Sequence, residues 1–400
     1  MTTVSRHDIP LWIAVLIAAH AGWSSHARAQ IGVQRAMPCS LRWTYRAPPS
    51  TYYLYPLFVS DSAGDVFWSE HNASAEVVAV CGGKLRWRRQ LGRLTFPVGG
   101  FVSASLLRAN LLVVSFQSTI EGLRASDGKI IWSRDLRADL GLPRGTQLAT
   151  GAAARVGDAL VTAVNSARSA AGRFAGWLTA TTPEGQPAGR TRLDGAVVRL
   201  AAGEGRVYAL RSEVGPDQSP IIVLVKKGKG LIPAPHPALP VPVAMAAAVR
   251  GDEVVFDKER VVTATIAPLP NKCPPTSPSC HPTPDYLTVT GFSAGEERWH
   301  LSHPVGLVRA QLLLLSDGTV LLVENGSVAR ISSVGERTPL CEFPADSVRS
   351  VVGLVDGALI VARFRSVDGY ALPGAPELAA AGWAMHGAGP AQDWAVRATR

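Results

Sequence analysis

The sequence predicts an all-β chain assembled from repeated four-stranded antiparallel sheets, and three observations predict it. A short phrase recurs as Leu41-Arg42-Trp43, Leu85-Arg86-Trp87 and Ile130-Ile131-Trp132, at spacings of 44 and 45 residues. Near-equal spacing of a large anchor marks a repeated supersecondary unit. Glycine turns precede the second and third copies, as Gly82-Gly83-Lys84 and Ser126-Asp127-Gly128-Lys129. Glycine accepts the positive φ that a tight hairpin needs. Between the turns lie short apolar or alternating runs, and no long helical periodicity follows residue 30.

The best-defined unit shows how the elements follow one another. Phe101–Leu107 is an apolar run, Arg108-Ala109-Asn110 a turn and Leu111–Phe116 a β-rich run. Ile120–Ala125 then alternates, and the glycine turn leads into Ile130–Trp132. Four short strands in about 45 residues have the size of a propeller blade. Further hairpins are written around Ser316-Asp317-Gly318 and Val355-Asp356-Gly357. The turn phrase returns at Ser293–Trp299 and, in degenerate form, at Pro183–Pro187, Lys226–Gly230 and Ser333–Arg337.

The units number seven. Six cover residues 48–91, 96–136, 147–195, 197–235, 243–303 and 305–344. Residues 347–371 supply three strands of the seventh, and the early strand Leu41–Tyr45 supplies its fourth. Pairing of the two ends closes the ring and removes a free sheet edge. Eight blades are the alternative, because the stretch 235–260 can be read as further strands. Closure brings Cys39, before the outer strand of the last blade, near Cys341, at the end of the outer strand of the blade before it. A bridge there would lock the ring.

The ends carry a different signal. Arg6 and His7 precede the apolar run Leu11–Ala19, and Ala27-Arg28-Ala29 precedes Gln30. That order predicts an export signal over 1–29, a propeller over 30–371 and a tail over 372–400. The apolar run is too short to span a bilayer, which takes about 20 residues. The expected location is the periplasm or the extracellular space, with no transmembrane anchor. Five cysteines in an exported chain read first as disulfide material. Cys273 and Cys280 flank a Pro/Ser-rich stretch, and a local staple there is the leading expectation, ahead of Cys39–Cys341. A metal site using His281 is the alternative, although the spacing fits no common zinc pattern.

The charge excludes some functions. There are 40 Lys+Arg against 31 Asp+Glu, a formal net charge of +9. The cations are scattered among Ala, Val and Gly rather than gathered with aromatics, so no specific nucleic-acid surface is expected. No Gly-x-Ser-x-Gly elbow and no helical metal-binding His pair is present. His300 and His303 stand three apart on a strand and its exit, so they point differently. Asn72-Ala73-Ser74 and Asn325-Gly326-Ser327 read as turns. No catalytic, cofactor-binding or metal-binding residue is assigned.

At Gly122–Trp132 and Val77–Trp87 the chain resembles the pyrroloquinoline-quinone-like β-propeller repeat proteins. Their repeat runs as an Ala-x-Asp-x-x-x-Gly-Lys-x-x-Trp phrase after short aliphatic strands. Gly128-Lys129-Ile130-Ile131-Trp132 and Gly83-Lys84-Leu85-Arg86-Trp87 keep its Gly-Lys-x-x-Trp core. Gly122 and Arg124 stand where the family has Ala and Asp. Gly382–Pro390 resembles the Trp-x-Met segment of such chains. The resemblance covers residues 39–371. Its dehydrogenase branch implies pyrroloquinoline quinone, calcium and a vicinal Cys pair, and no two cysteines are adjacent here. Its other branch implies non-catalytic scaffolds. The expected function is thus an exported propeller that binds a protein or ligand partner and needs no cofactor. A quinone- and calcium-dependent oxidoreductase, or another propeller enzyme, is the alternative.

Overall fold

A computed structural model describes residues 37–51, 53–60, 65–71, 74–93, 102–166, 175–203, 206–212, 221–227, 230–233, 253–256, 260–267, 285–293, 296–305, 310–345, 348–355, 357–372 and 374. Two strands open the chain, β1 (Met37–Pro38) and β2 (Ser40–Arg46). The first sheet holds β3 (Tyr53–Ser60), β4 (Asp65–His71), β5 (Ser74–Cys81) and β6 (Lys84–Arg93). The second holds β7 (Val102–Arg108), β8 (Leu111–Phe116), β9 (Thr119–Arg124) and β10 (Ile130–Asp135), followed by the helical turn α1 (Leu136–Leu140). The third holds β11 (Leu148–Val156), β12 (Ala159–Ser166), β13 (Ala175–Thr181) and β14 (Pro187–Asp194).

The fourth sheet holds β15 (Ala196–Gly203), β16 (Arg206–Ser212), β17 (Ile221–Lys227) and β18 (Gly230–Pro233). The fifth holds β19 (Glu253–Phe256), β20 (Arg260–Ala267), β21 (Asp285–Ser293) and β22 (Glu296–Val305). The sixth holds β23 (Gln311–Leu314), β24 (Val320–Glu324), β25 (Ser327–Ile331) and β26 (Arg337–Glu342). The seventh holds β27 (Val348–Val355), β28 (Ala358–Arg363) and β29 (Ser366–Ala371), with β2 as its fourth strand. The described residues thus form seven sheets of four antiparallel strands, and the strand borrowed from the N-terminal side pairs as the sequence predicts, Ser40 opposite Ala371 and Tyr45 opposite Val367. A fifth strand on the sixth sheet was not predicted: β1 lies parallel to β26, Met37 opposite Cys341.

The turns follow from their residues. Asn325 and Gly326 both take positive φ, 44° and 79°, in the two-residue link from β24 to β25. That is the arrangement Asn-Gly favours in a hairpin whose twist matches its strands. The helical turn is bounded by Asp135, which accepts from the Arg137 N–H, and by Gly141 in the left-handed region.

The core lies between sheets. Each apolar cluster among the described residues joins two successive ones: Phe67, Val77 and Trp87 pack on Leu112, Val114 and Leu123, and Leu136 and Leu107 on Leu148 and Leu160. Val161 and Leu178 meet Val197 and Leu200, Val255 and Leu287 meet Leu312 and Leu322, and Leu321 and Val328 meet Leu359 and Val361. Val66 and Trp68 meet Ile360 and Val367, so the seventh sheet packs on the first. Alternating strands bury one face on each neighbour, which is why these strands read as almost wholly apolar.

Candidate functional site

The recurring tryptophan is the element that joins one sheet to the next. In each copy a bulge falls just before the Trp, at Arg42, Arg86, Ile131 and Arg298. A bulge re-aims the residue after it. The indole then lies over a small residue opposite it in its own sheet: Gly369 for Trp43, Ala79 for Trp87, Gly122 for Trp132 and Gly291 for Trp299. A Cβ on Gly122, Gly291 or Gly369 would stand inside contact distance of the ring. At Gly122 the ring takes the space a methyl group would need, whereas Trp87 has Ala79 at the matching register position.

The other side of the indole is covered by the turn of the following sheet. Gly128 covers Trp87, and a Cβ there would meet the ring at 2.7 Å. Gly185 covers Trp132 at 2.5 Å and Gly335 covers Trp299 at 2.7 Å. The indole N–H donates into the same turn: Trp87 to the Ala125 carbonyl at 2.8 Å, Trp132 to Pro183 at 2.9 Å and Trp299 to Ser333 at 3.1 Å. The turn glycine therefore has two tasks, a positive φ and a bare face for the neighbouring ring.

Buried charges form a second set of joints. Glu70 on β4 is fully buried. It accepts from Tyr45 on β2 at 2.9 Å and from Trp68 Nε1 at 3.2 Å, and it pairs with Arg88 on β6 at 2.8 Å. Arg88 also meets Glu76 at 2.6 Å. Burial pushes the Tyr45 phenol far above its ordinary range, and the Glu70 charge pushes it further. Glu324 repeats the scheme on β24, with His303 of the preceding outer strand at 2.9 Å and Arg337 of its own outer strand at 2.5 Å. Asp368 accepts from Thr44 at 2.8 Å and meets Arg363 at 2.5 Å, and Arg363 donates to Tyr370 at 2.9 Å. A buried carboxylate is tolerated only when its lone pairs are filled in this way.

The bridge expected between Cys39 and Cys341 is present, a disulfide across 302 residues. Phe343 stacks on Tyr370 beside it, with centroids 5.1 Å apart. Cys81 is a free thiol, raised by burial and by neighbouring Asp65. Cys273 and Cys280 lie outside the described residues. His300 and His303 do diverge, His300 lying exposed against Glu297 and His303 against Glu324. Among the described residues no group of three or more His, Cys, Asp or Glu is arranged to hold a metal ion, and no helix is long and apolar enough to cross a membrane. Sequence reasoning missed the Glu70 and Glu324 clusters, since their members come from three strands with no shared spacing.

No family model matches the chain, and no curated protein matches it in sequence. Solved structures similar to it include quinohemoprotein alcohol dehydrogenase from Comamonas testosteroni, at 13% identity and TM-score 0.48, over 88% of this chain and 79% of that one. BBS1N in complex with ARL6DN is similar at 13% identity and TM-score 0.44, over 86% and 99%. BamB from Moraxella catarrhalis is similar at 11% identity and TM-score 0.37, over 83% and 99%. The chain is an all-β protein of four-stranded antiparallel sheets with distant structural similarity to these proteins.

Proposed function

We propose that the chain is an exported, non-catalytic β-propeller of the pyrroloquinoline-quinone-like repeat type, whose seven sheets are the blades of a closed ring. Its job is to present rigid outer surfaces to a protein or ligand partner. The observation that carries this reading is the repeated clasp of one sheet's Trp by the next sheet's turn glycine, at Trp87–Gly128, Trp132–Gly185 and Trp299–Gly335. The buried carboxylates support it. Glu70, Glu324 and Asp368, the groups best suited to acid–base work, are engaged by Arg, Tyr, Thr or His in joints within or between sheets. The disulfide supports export, because such bonds persist in oxidising compartments. Cleavage after Ala29, and a second staple at Cys273–Cys280, belong to the same proposal.

The discriminating experiment titrates the purified chain with pyrroloquinoline quinone and calcium, followed by absorbance and by melting temperature. The scaffold reading expects neither signal to saturate. A saturable rise in melting temperature overturns it in favour of the oxidoreductase, since a ligand that binds only the folded state must raise stability.

A further inference from the structure

Leu41, Leu85 and Ile130 occupy the same position in three sheets, two residues before the Trp; Leu85 and Ile130 follow a glycine turn, and Leu41 follows Cys39. Each is about half exposed, at 54%, 50% and 44%, and Ile131 beside them is exposed at 53%. They pair with Tyr370, Val80 and Leu123 in equivalent registers. Their sheets adjoin: the seventh packs on the first and the first on the second. Because the strands alternate in direction, the outer strand of each sheet begins at the same end. The three side chains therefore stand in a row along one rim.

The fold does not need them to be aliphatic. Trp299 is clasped in the same way, over Gly291 and under Gly335 with its N–H on Ser333. The residue two before it is Glu297, which is exposed. Clasping thus proceeds with a carboxylate at this position, so the clasp does not set the aliphatic choice in the three adjoining sheets. Exposed Arg42, Lys84, Arg86 and Lys129 flank the three aliphatic residues, with Arg86 paired to Asp65 at 3.1 Å and Lys129 near Asp127 at 3.7 Å.

We propose that this rim docks on an anionic lipid surface. Isolated aliphatic residues ringed by cations match a surface that offers anionic headgroups above hydrocarbon. A specific protein partner calls instead for a contiguous, water-excluding apolar centre. Here Lys84, Arg86 and Lys129 separate the aliphatic residues. A fluid bilayer takes up separate side chains without shape complementarity, and the chain's net charge of +9 adds long-range attraction.

The test is sedimentation of the full chain with vesicles of mixed phosphatidylglycerol and phosphatidylcholine, and with vesicles of phosphatidylcholine alone. The wild type sediments with the anionic vesicles, and salt weakens the association. The triple variant Leu41→Ser, Leu85→Ser, Ile130→Ser lowers partitioning at least about tenfold, while Val198→Ser, exposed elsewhere, leaves it unchanged. Lys84→Gln and Lys129→Gln each lower it about fivefold. Melting curves establish that every variant is folded. Absence of binding, equal binding to neutral vesicles, or equal binding by the folded triple variant overturns the proposal. The last outcome would assign binding to the apolar run 11–19 or to another surface. None of these outcomes alters the quinone and calcium titration, so the two readings fail separately.

Discussion

Gly122 lies beneath the indole of Trp132, its register partner in the adjoining strand, in the space a side chain would need. Gly122→Ala should destabilise the chain by about 1–3 kcal/mol through overpacking. Ala79→Gly, at the matching place under Trp87, should cost at most about 1 kcal/mol, the entropy penalty of a strand glycine. Gly185→Ala should cost more than Gly122→Ala, because Gly185 also holds φ at +81°. Denaturant midpoints of the three variants check the order.

The Cys39–Cys341 bridge closes a separation of 302 residues. Chain-entropy arguments assign so long a loop about 5–6 kcal/mol as an upper figure, and native bridges typically contribute about 2–5 kcal/mol. Cys39→Ser and Cys341→Ser should each lower the urea midpoint by the same amount, and the double variant by no more. Cys81→Ser should leave it in place. Unequal losses would show that one cysteine stabilises the chain by packing alone.

Tyr45→Phe removes one donor from the buried Glu70 and leaves the ring in place. A loss of about 1.5–3 kcal/mol is expected, the range for hydrogen bonds to charged groups. Glu70→Gln should be at least as damaging, since it uncouples Arg88 from its more deeply buried partner. A double-mutant cycle on Tyr45 and Glu70 should return a coupling well above zero.

The same tyrosine predicts an alkaline limit. Burial, and then the Glu70 charge, raise its phenol in the folded state, and burial likewise raises Tyr370. A group raised on folding contributes stability that is complete below its unfolded value, about 10 for tyrosine. That contribution falls as pH rises from there towards the folded value. Melting temperature should therefore fall between about pH 10 and 11, and Tyr45→Phe should flatten the fall. A profile unchanged by that substitution would remove Tyr45 from the alkaline transition.

Much of the fold is legible because the sheets repeat a local code. The glycine turn, the bulge and the Trp are neighbours in sequence, so the unit over residues 96–136 matches the second sheet, and the hairpin at Ser316-Asp317-Gly318 places the unit over 305–344 on the sixth. The pairing of β2 with β29 was legible for another reason: a strand left over at one end meets a sheet lacking one at the other. The parallel pairing of β1 was not, because two residues carry no periodicity. Nor were the clusters at Glu70 and Glu324. Each takes one partner from an adjoining sheet, Tyr45 for Glu70 and His303 for Glu324, and only the packing of sheets decides which Tyr or His meets which carboxylate. Of the stretch 235–260, considered for extra strands, the described residues are Glu253–Phe256 in β19 and Arg260 at the start of β20, and residues 235–252 and 257–259 lie outside the described set.

The borrowing of β2 by the last sheet imposes an order of events on a chain delivered from its N-terminus. Ser40–Arg46 finds its partner only when Ser366–Ala371 arrives. Until then Trp43 lacks Gly369, and Tyr45 lacks the apolar surface of Ile360 and Val367. This early strand is thus among the last to be satisfied, and it waits with an open edge and two exposed aromatic rings. A chaperone that holds nascent chains, or an oxidant that acts only after residue 341 has emerged, would govern the yield of folded protein more strongly than the stability of any single sheet.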